Sequence, residues 1–168
     1  KGEDDEFWFP SRLLVFGLYL AEGSLDIRKK RIVIHQTQKS RGWKVLQRLK
    51  ECYPFHIWNN DERFIIYDKE LFHFIFSHNI RYAKHKFIPK TVKNLPSWKL
   101  RILLTGILLG DAECWNYKCK NKVKSKVWRL YTKSKALADD IQEIGLKCGM
   151  PCWIKWRKDK DIYVLNFV

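Results

Sequence analysis

The sequence predicts an α+β fold made of two tandem copies of one unit: helix, strand, strand, helix, strand, strand. Three observations predict it. Two apolar runs, Val15 to Gly23 and Leu104 to Ala112, match each other at an offset of 89 positions, with Glu22 ending the apolar part of one and Asp111 that of the other. In each run small residues recur at i and i+4, Gly17 with Ala21 and Gly106 with Gly110. Short segments downstream also echo one another, Thr37-Gln38-Lys39-Ser40 with Thr132-Lys133-Ser134 and Cys52 to Trp58 with Cys148 to Trp156. Self-similarity at a fixed offset is the mark of a duplicated supersecondary unit.

In the first unit, Pro10 and Ser11 open a helix that reaches about Glu22 and stops at Gly23. Ser24 to Arg28 and Arg31 to Gln38, where Ile32 and Ile34 alternate with Arg31, Val33 and His35, predict a hairpin. From Ser40 to Tyr53 the apolar residues Trp43, Leu46, Leu49 and Cys52 recur at three-residue steps, as in a helix lying on a sheet. Phe55 to Trp58 and Arg63 to Tyr67 predict a second hairpin across Asn59 to Glu62, followed by a helix from Lys69 to His78.

The second unit repeats this order. Its helix is expected over Ser97 to Gly110, its strands over Glu113 to Cys119 and Lys126 to Thr132, its next helix over Lys135 to Lys147, and its last hairpin over Cys152 to Trp156 and Asp161 to Phe167. The chain thus divides into an acidic leader, residues 1–10, that packs little; a first half, 11–89; a linker, 90–96; and a second half, 97–168.

Composition narrows the partners. Thirty-three Lys and Arg against eighteen Asp and Glu leave a net charge of +15 on 168 residues that are 46% hydrophobic. That describes a folded domain with a polyanionic partner, nucleic acid by default and an anionic membrane surface as the alternative. No apolar run approaches the roughly 20 residues of a membrane span and no secretory signal opens the chain, so an intracellular location is expected. Five cysteines, an odd number, argue against a disulfide framework. The spacings Cys114-x4-Cys119 and Cys148-x3-Cys152 are too irregular to make a zinc site a strong reading.

The charge is also placed. Nine Lys or Arg and no acid lie from Arg28 to Lys50, and eight and no acid from Lys118 to Lys135, each block following its acidic helix end. Lys118, Lys120, Lys122, Lys124 and Lys126 fall at every second position, which in an extended chain puts them on one side. Arg28, Lys30, Arg31 and His35 flank the corresponding turn of the first unit, and Arg129, Lys155 and Arg157 extend the candidate basic surface. Such hairpins suit a DNA duplex. Trp115, Trp128, Trp153 and Trp156 are read as core and sheet-packing residues rather than base-stacking platforms.

Small residues at i and i+4 let two helices approach backbone to backbone. If the two runs pack in parallel, Glu22 and Asp111 meet at the foot of the pair, and two adjacent carboxylates in basic surroundings make a divalent-metal site of the kind that cuts phosphodiesters. A carboxylate at a helix C-terminus opposes the macrodipole, at a cost of about 0.3 to 1 kcal/mol. Finding it at both equivalent positions argues against accident.

At this level of detail the chain resembles the LAGLIDADG (dodecapeptide) homing endonucleases, in the single-chain, pseudo-symmetric form that also occurs inside inteins. Phe16 to Ser24 and Leu103 to Asp111 match the signature motif, and Tyr131 to Gln142 and Lys86-Phe87-Ile88-Pro89 resemble accompanying segments. The resemblance implies an interlocked helix pair between two saddle-shaped antiparallel sheets, and a monomer that makes Mg²⁺-dependent double-strand breaks in a long DNA site. By motif position Glu22 and Asp111 bind metal, with the carbonyls of Ala21 and Gly110 as auxiliary ligands. Gln38 matches the polar residue that orders solvent near a scissile phosphate, with Lys133 as its counterpart, and Lys86 matches the basic residue that faces the catalytic water. The counterpart of Lys86, and a closing helix, would lie past residue 168, which implies an asymmetric pocket. Ala112 replaces the usual glycine and Glu22 stands where aspartate is commoner. The family also includes RNA maturases, and a copy that binds DNA without cutting is a further alternative; retention of both carboxylates favours the nuclease.

Overall fold

A computed structural model of the chain describes residues 6–119 and 122–167, with backbone alone for 115–119 and 122–126. Its elements are α1 (Pro10–Glu22), β1 (Gly23–Asp26), β2 (Arg31–His35), α2 (Arg41–Cys52), β3 (Ile57–Asn60), β4 (Arg63–Ile66), α3 (Lys69–Ser77), a 3-10 turn (Ala83–His85), α4 (Lys90–Lys93), α5 (Ser97–Asp111), β5 (Glu113–Cys119), β6 (Lys122–Thr132), α6 (Lys135–Lys147), β7 (Cys152–Arg157) and β8 (Ile162–Phe167). The strands form two four-stranded antiparallel sheets of identical topology, β1-β2-β4-β3 and β5-β6-β8-β7.

Helices α1 and α5 pack on each other between these sheets. In α1 Leu13, Val15, Phe16, Leu18, Tyr19 and Leu20 are all buried, the pattern of a helix enclosed on every side. Period-two alternation supplies the rest of the core: Ile32, Ile34, Ile57, Phe64 and Ile66 from the first sheet, and Leu130, Cys152, Leu165 and Phe167 from the second. The helices α2 and α6 start at equivalent serine caps. Ser40 Oγ accepts the Trp43 N–H at 3.0 Å, and Ser134 Oγ accepts that of Leu137 at 3.1 Å.

Four local expectations are corrected. Phe7, Trp8 and Phe9 do not lie loose: Trp8 is buried against Phe16 and Phe74, and the guanidinium of Arg12 sits over the rings of Phe7, Phe9 and Phe55. Arg12 itself is buried because Asp68 takes two of its N–H groups, at 2.9 and 3.1 Å, and Tyr53 donates to the same carboxylate at 2.6 Å. Next, β3 runs on to Asn60, so the second hairpin closes across Asp61 and Glu62 alone, with Asp61 at a φ of 48°. Third, β6 begins at Lys122 rather than Lys126.

The fourth concerns residues 90–96, which include α4 and dock firmly on α6. Lys93 Nζ reaches Asp140 at 2.7 Å and Glu143 at 2.8 Å, the Ile88 N–H donates to Asp140 at 2.8 Å, and Ser134 Oγ donates to the Lys86 carbonyl at 2.6 Å. The segment between the halves is therefore a strap held by the second half, and it fixes where Lys86 sits. No helix among the described residues is long and apolar enough to cross a membrane.

Candidate active site at the helix crossing

The crossing of α1 and α5 is made by the residues without side chains. A Cβ added to Gly17 would lie 2.9 Å from the Gly106 Cα, and one added to Gly106 would lie 3.0 Å from the Gly17 Cα and 2.5 Å from the Leu14 carbonyl. One turn on, Gly110 abuts the Ala21 methyl. Gly17 meets Gly106 and Ala21 meets Gly110, so the helices run in the same direction and related residues face each other across a pseudo-two-fold. Both C-termini then deliver their carboxylates, Glu22 and Asp111, to one place.

The two carboxyls interact strongly. Burial first, then the Glu22 charge and a hydrogen bond with Glu22, push the Asp111 carboxyl up to about 7, while Lys86 pulls it back. Two hollows flank the pair. One, of about 270 Å³, is lined by Leu20, Ala21, Lys86, Asp111, Tyr131 and Lys133 among others; the second, of about 310 Å³, by Glu22, His35, Gln36, Thr37, Ser40 and Asp111 with neighbours. Asp111 borders both.

Lys86 is buried at the foot of α1, where its ammonium donates to the carbonyls of Tyr19 (2.8 Å), Leu20 (3.2 Å) and Gly23 (2.9 Å). It completes the C-terminal carbonyls of the helix and places a cation where the macrodipole favours one. Burial lowers its pKa to about 8 against the opposing charges of Glu22 and Asp111. Three acceptors use all three ammonium donors, so this geometry holds the charged form.

Gln38 is not at the site. It is exposed, whereas Gln36 is buried and borders the second hollow. Gln36 Nε2 donates to the Gly110 carbonyl at 2.9 Å, and its Oε1 accepts from Ser40 Oγ at 2.7 Å. Strand register explains the correction. Gly23, after the first acid, lies opposite Ile34, while Glu113 lies opposite Arg129, which sets Ala112 against Leu130. Ile34 is thus equivalent to Leu130, Gln36 to Thr132, and Thr37 to Lys133. Lys133 keeps its place beside Asp111, but its partner is Thr37 and not Gln38. The signal for Gln36 in the sequence was a polar residue four before the helix-capping Ser40.

The basic residues divide. Arg28 and Lys30 lie in the exposed turn between β1 and β2, and His35 with Arg31 on the open face of β2; Arg31 is held by Asp26 at 2.9 Å. Arg129, Lys155 and Arg157 share the open face of the second sheet, where Arg157 pairs with Asp159 at 2.8 Å. Lys120 lies outside the described residues, as do the side chains of Lys118, Lys122, Lys124 and Lys126. Their backbone nonetheless corrects the one-sided row: Lys118 belongs to β5, the other three to β6, and the register shifts between Tyr117 and Lys118. A bulge of that kind interrupts the alternation on which a single basic face depends.

The residues at the crossing fit a hard divalent cation. Two carboxylates with carbonyl oxygens beside them are hard oxygen donors, and Mg²⁺ commonly uses one or two carboxylates together with substrate phosphates. Bringing Asp111 against Glu22 is unfavourable without a cation, which gives a test by pH. A carboxyl raised from its ordinary range to about 7 contributes stability below pH 4 that is lost as pH rises through 7. Asp111→Asn is therefore expected to match wild type at pH 4 and to exceed it at pH 8, in the absence of metal, by on the order of 1–2 kcal/mol. Urea melts at both pH values check this; Mg²⁺ at pH 8 should stabilise wild type and leave the variant unchanged.

The architecture is the LAGLIDADG fold. Two four-stranded antiparallel sheets around a parallel helix pair are shared with the homing endonuclease I-DmoI bound to its target DNA with magnesium, at a TM-score of 0.59 over 98% of this chain and 92% of that one, with 15% identity. I-DmoI with DNA and calcium superposes at 0.59 over 95% of this chain and 83% of that one, with 18% identity. The N-terminal LAGLIDADG domain of DUF199/WhiA superposes at 0.57, covering 94% of this chain and 74% of that one, with 10% identity. No protein-family model matches the sequence, and no curated protein does.

Proposed function

We propose that this chain is a site-specific DNA endonuclease that makes metal-dependent double-strand breaks in a long duplex target, acting as an intracellular monomer with Mg²⁺ as its cation. The observation that carries the reading is the meeting of Glu22 and Asp111 at the parallel ends of α1 and α5, between two sheets whose open faces bear Arg31, His35, Arg129, Lys155 and Arg157. The I-DmoI structures, in complex with target DNA and magnesium, manganese or calcium, support it.

In this reading the duplex lies along the open sheet faces, with the carboxylate pair beneath its minor groove. Glu22 and Asp111 hold the cation, with the Ala21 and Gly110 carbonyls close by. When bound, a divalent cation supplies charge neutralisation at phosphorus and a water of lowered pKa. The ammonium of Lys86 keeps positive charge beside the pair from within its lattice of carbonyls, and Lys133 adds a second, exposed cation in the same hollow. On the other side Gln36, clamped by Ser40 and Gly110, presents a neutral polar wall. One strand therefore meets two lysines and the other meets Gln36, so the two cuts proceed at unequal rates.

A second reading, a DNA- or RNA-binding protein without cleavage, draws on one observation: the Gly110 carbonyl already accepts from Gln36 and competes poorly as a ligand. A randomised duplex library separates the two. Binding is expected with Ca²⁺ or Mg²⁺ and cutting with Mg²⁺; sites retained but never cut would leave the non-cleaving reading. Affinity should fall with salt at a log-log slope of about −0.9 per phosphate contact. A slope near zero would remove nucleic acid as the partner.

A further inference from the structure

The two edge strands β3 and β7 carry the same burial pattern. In β3 Ile57 is buried, Trp58 exposed, Asn59 half-buried and Asn60 exposed; in β7 Cys152 is buried, Trp153 exposed, Ile154 half-buried and Lys155 exposed. Register makes the match positional. Ile57 lies opposite Ile66 and Ile66 opposite Ile32, while Cys152 lies opposite Phe167 and Phe167 opposite Trp128. Since Ile34 is equivalent to Leu130, Ile32 corresponds to Trp128 and Ile57 to Cys152. Trp58 and Trp153 are therefore equivalent under the pseudo-two-fold, and they are 45% and 51% exposed. This corrects the reading of Trp153 as a packing residue.

Both indoles stand on the open faces. Trp58 lies across from Ile65 and Val33, on the side of the sheet away from Ile32, Ile34, Phe64 and Ile66. Trp153 lies across from Asn166 and Arg129, away from Leu130, Leu165 and Phe167. These faces are basic and lead to the carboxylates. Trp58 shares a hollow with Lys29, Arg31, His35 and Arg63, and also with Asp61 and Glu62; of these His35 and Glu62 border the Glu22–Asp111 hollow as well. On the other sheet Tyr131 borders the hollow beside Asp111 and shares its strand face with Arg129.

We propose that Trp58 and Trp153 are a pseudo-symmetric pair of duplex-contacting side chains, one at each outer edge of the DNA surface, each pressed on an apolar feature of the major groove such as a thymine methyl. The inference rests on the DNA-binding reading above. An edge strand is the part of each sheet farthest from the central helices, so the pair reads the two ends of the target and leaves the cleavage centre to the loops and carboxylates. An uncharged indole adds sequence preference without neutralising a phosphate. That property separates it from the surrounding lysines and arginines.

The test uses a duplex recovered by wild type from the library. Trp58→Ala and Trp153→Ala are each expected to weaken its binding about tenfold, with the salt slope unchanged. The sites each variant then selects should lose base preference at one end only, opposite ends for the two variants. Phe at either position should recover most of the affinity, and thermal melts should match wild type. In wild type labelled with 5-fluorotryptophan, the resonances of Trp58 and Trp153 should shift on adding the duplex. Variants that bind and select as wild type does, or resonances that do not move, overturn the proposal. So does a wild-type dimer that both alanine variants dissolve with DNA affinity intact, which would make the indoles a protein contact. A wild type that binds no duplex removes the DNA reading and this proposal with it, whereas variant-specific indifference removes this proposal alone.

Discussion

Glu22→Gln and Asp111→Asn are each expected to depress double-strand cleavage by a factor on the order of 1,000 while leaving duplex affinity near the wild-type value. The charge is what matters, since both substitutions keep shape and hydrogen-bonding capacity. Affinity is spared because the phosphate contacts lie along the sheets and not at the helix foot. The two variants are expected to differ from each other. Asp111 borders both hollows and Glu22 only the one walled by Gln36. The Asp111 variant should lose both cuts, while the Glu22 variant should retain slow nicking of the strand served by Lys86. Strand-resolved gels with each end labelled decide it. Full cleavage by the double variant would remove these carboxylates from the chemistry.

The second large effect is expected from Gly106→Leu. Its Cβ alone would fall 2.5 Å from the Leu14 carbonyl and 3.0 Å from the Gly17 Cα, and both are backbone atoms of a helix that cannot yield locally. Overpacking a core ordinarily costs about 1 to 3 kcal/mol, and here the added side chain must push two helices apart along their whole contact. Stability and both cuts should fall together, because separating α1 from α5 separates Glu22 from Asp111. Gly106→Ala, with the Cβ alone, should show the same pattern in milder form. If the leucine variant melted like wild type and cut both strands at the wild-type rate, the shared helix interface would have to be abandoned.

What could be read from the sequence alone is whatever repeats in it. The offset of 89 positions between Glu22 and Asp111, the i and i+4 spacing of Gly17 with Ala21 and Gly106 with Gly110, and the serines before α2 and α6 are local patterns. Periodicity and capping chemistry turn them into helices, strands and a close helix pair without reference to the rest of the chain. The span of α6 and the order of strands were legible for that reason.

Only the tertiary structure decided which polar side chains reach the carboxylates and which aromatic ones are left out. Gln36 and Gln38 lie two residues apart, and nothing local separates them; the pairing of Gly23 with Ile34 turns Gln36 inward, and Gly42 leaves room for its amide. Trp153 and Trp128 are equally apolar in sequence, yet strand pleating sends one to the open face and the other toward the core. Lys86 is aimed by Ser134 and Asp140, which lie in the other half of the chain. Periodicity determines which elements form because it acts over a few neighbouring residues. Register and the docking of one half on the other depend on contacts distant in sequence, and these choose the residues of the site.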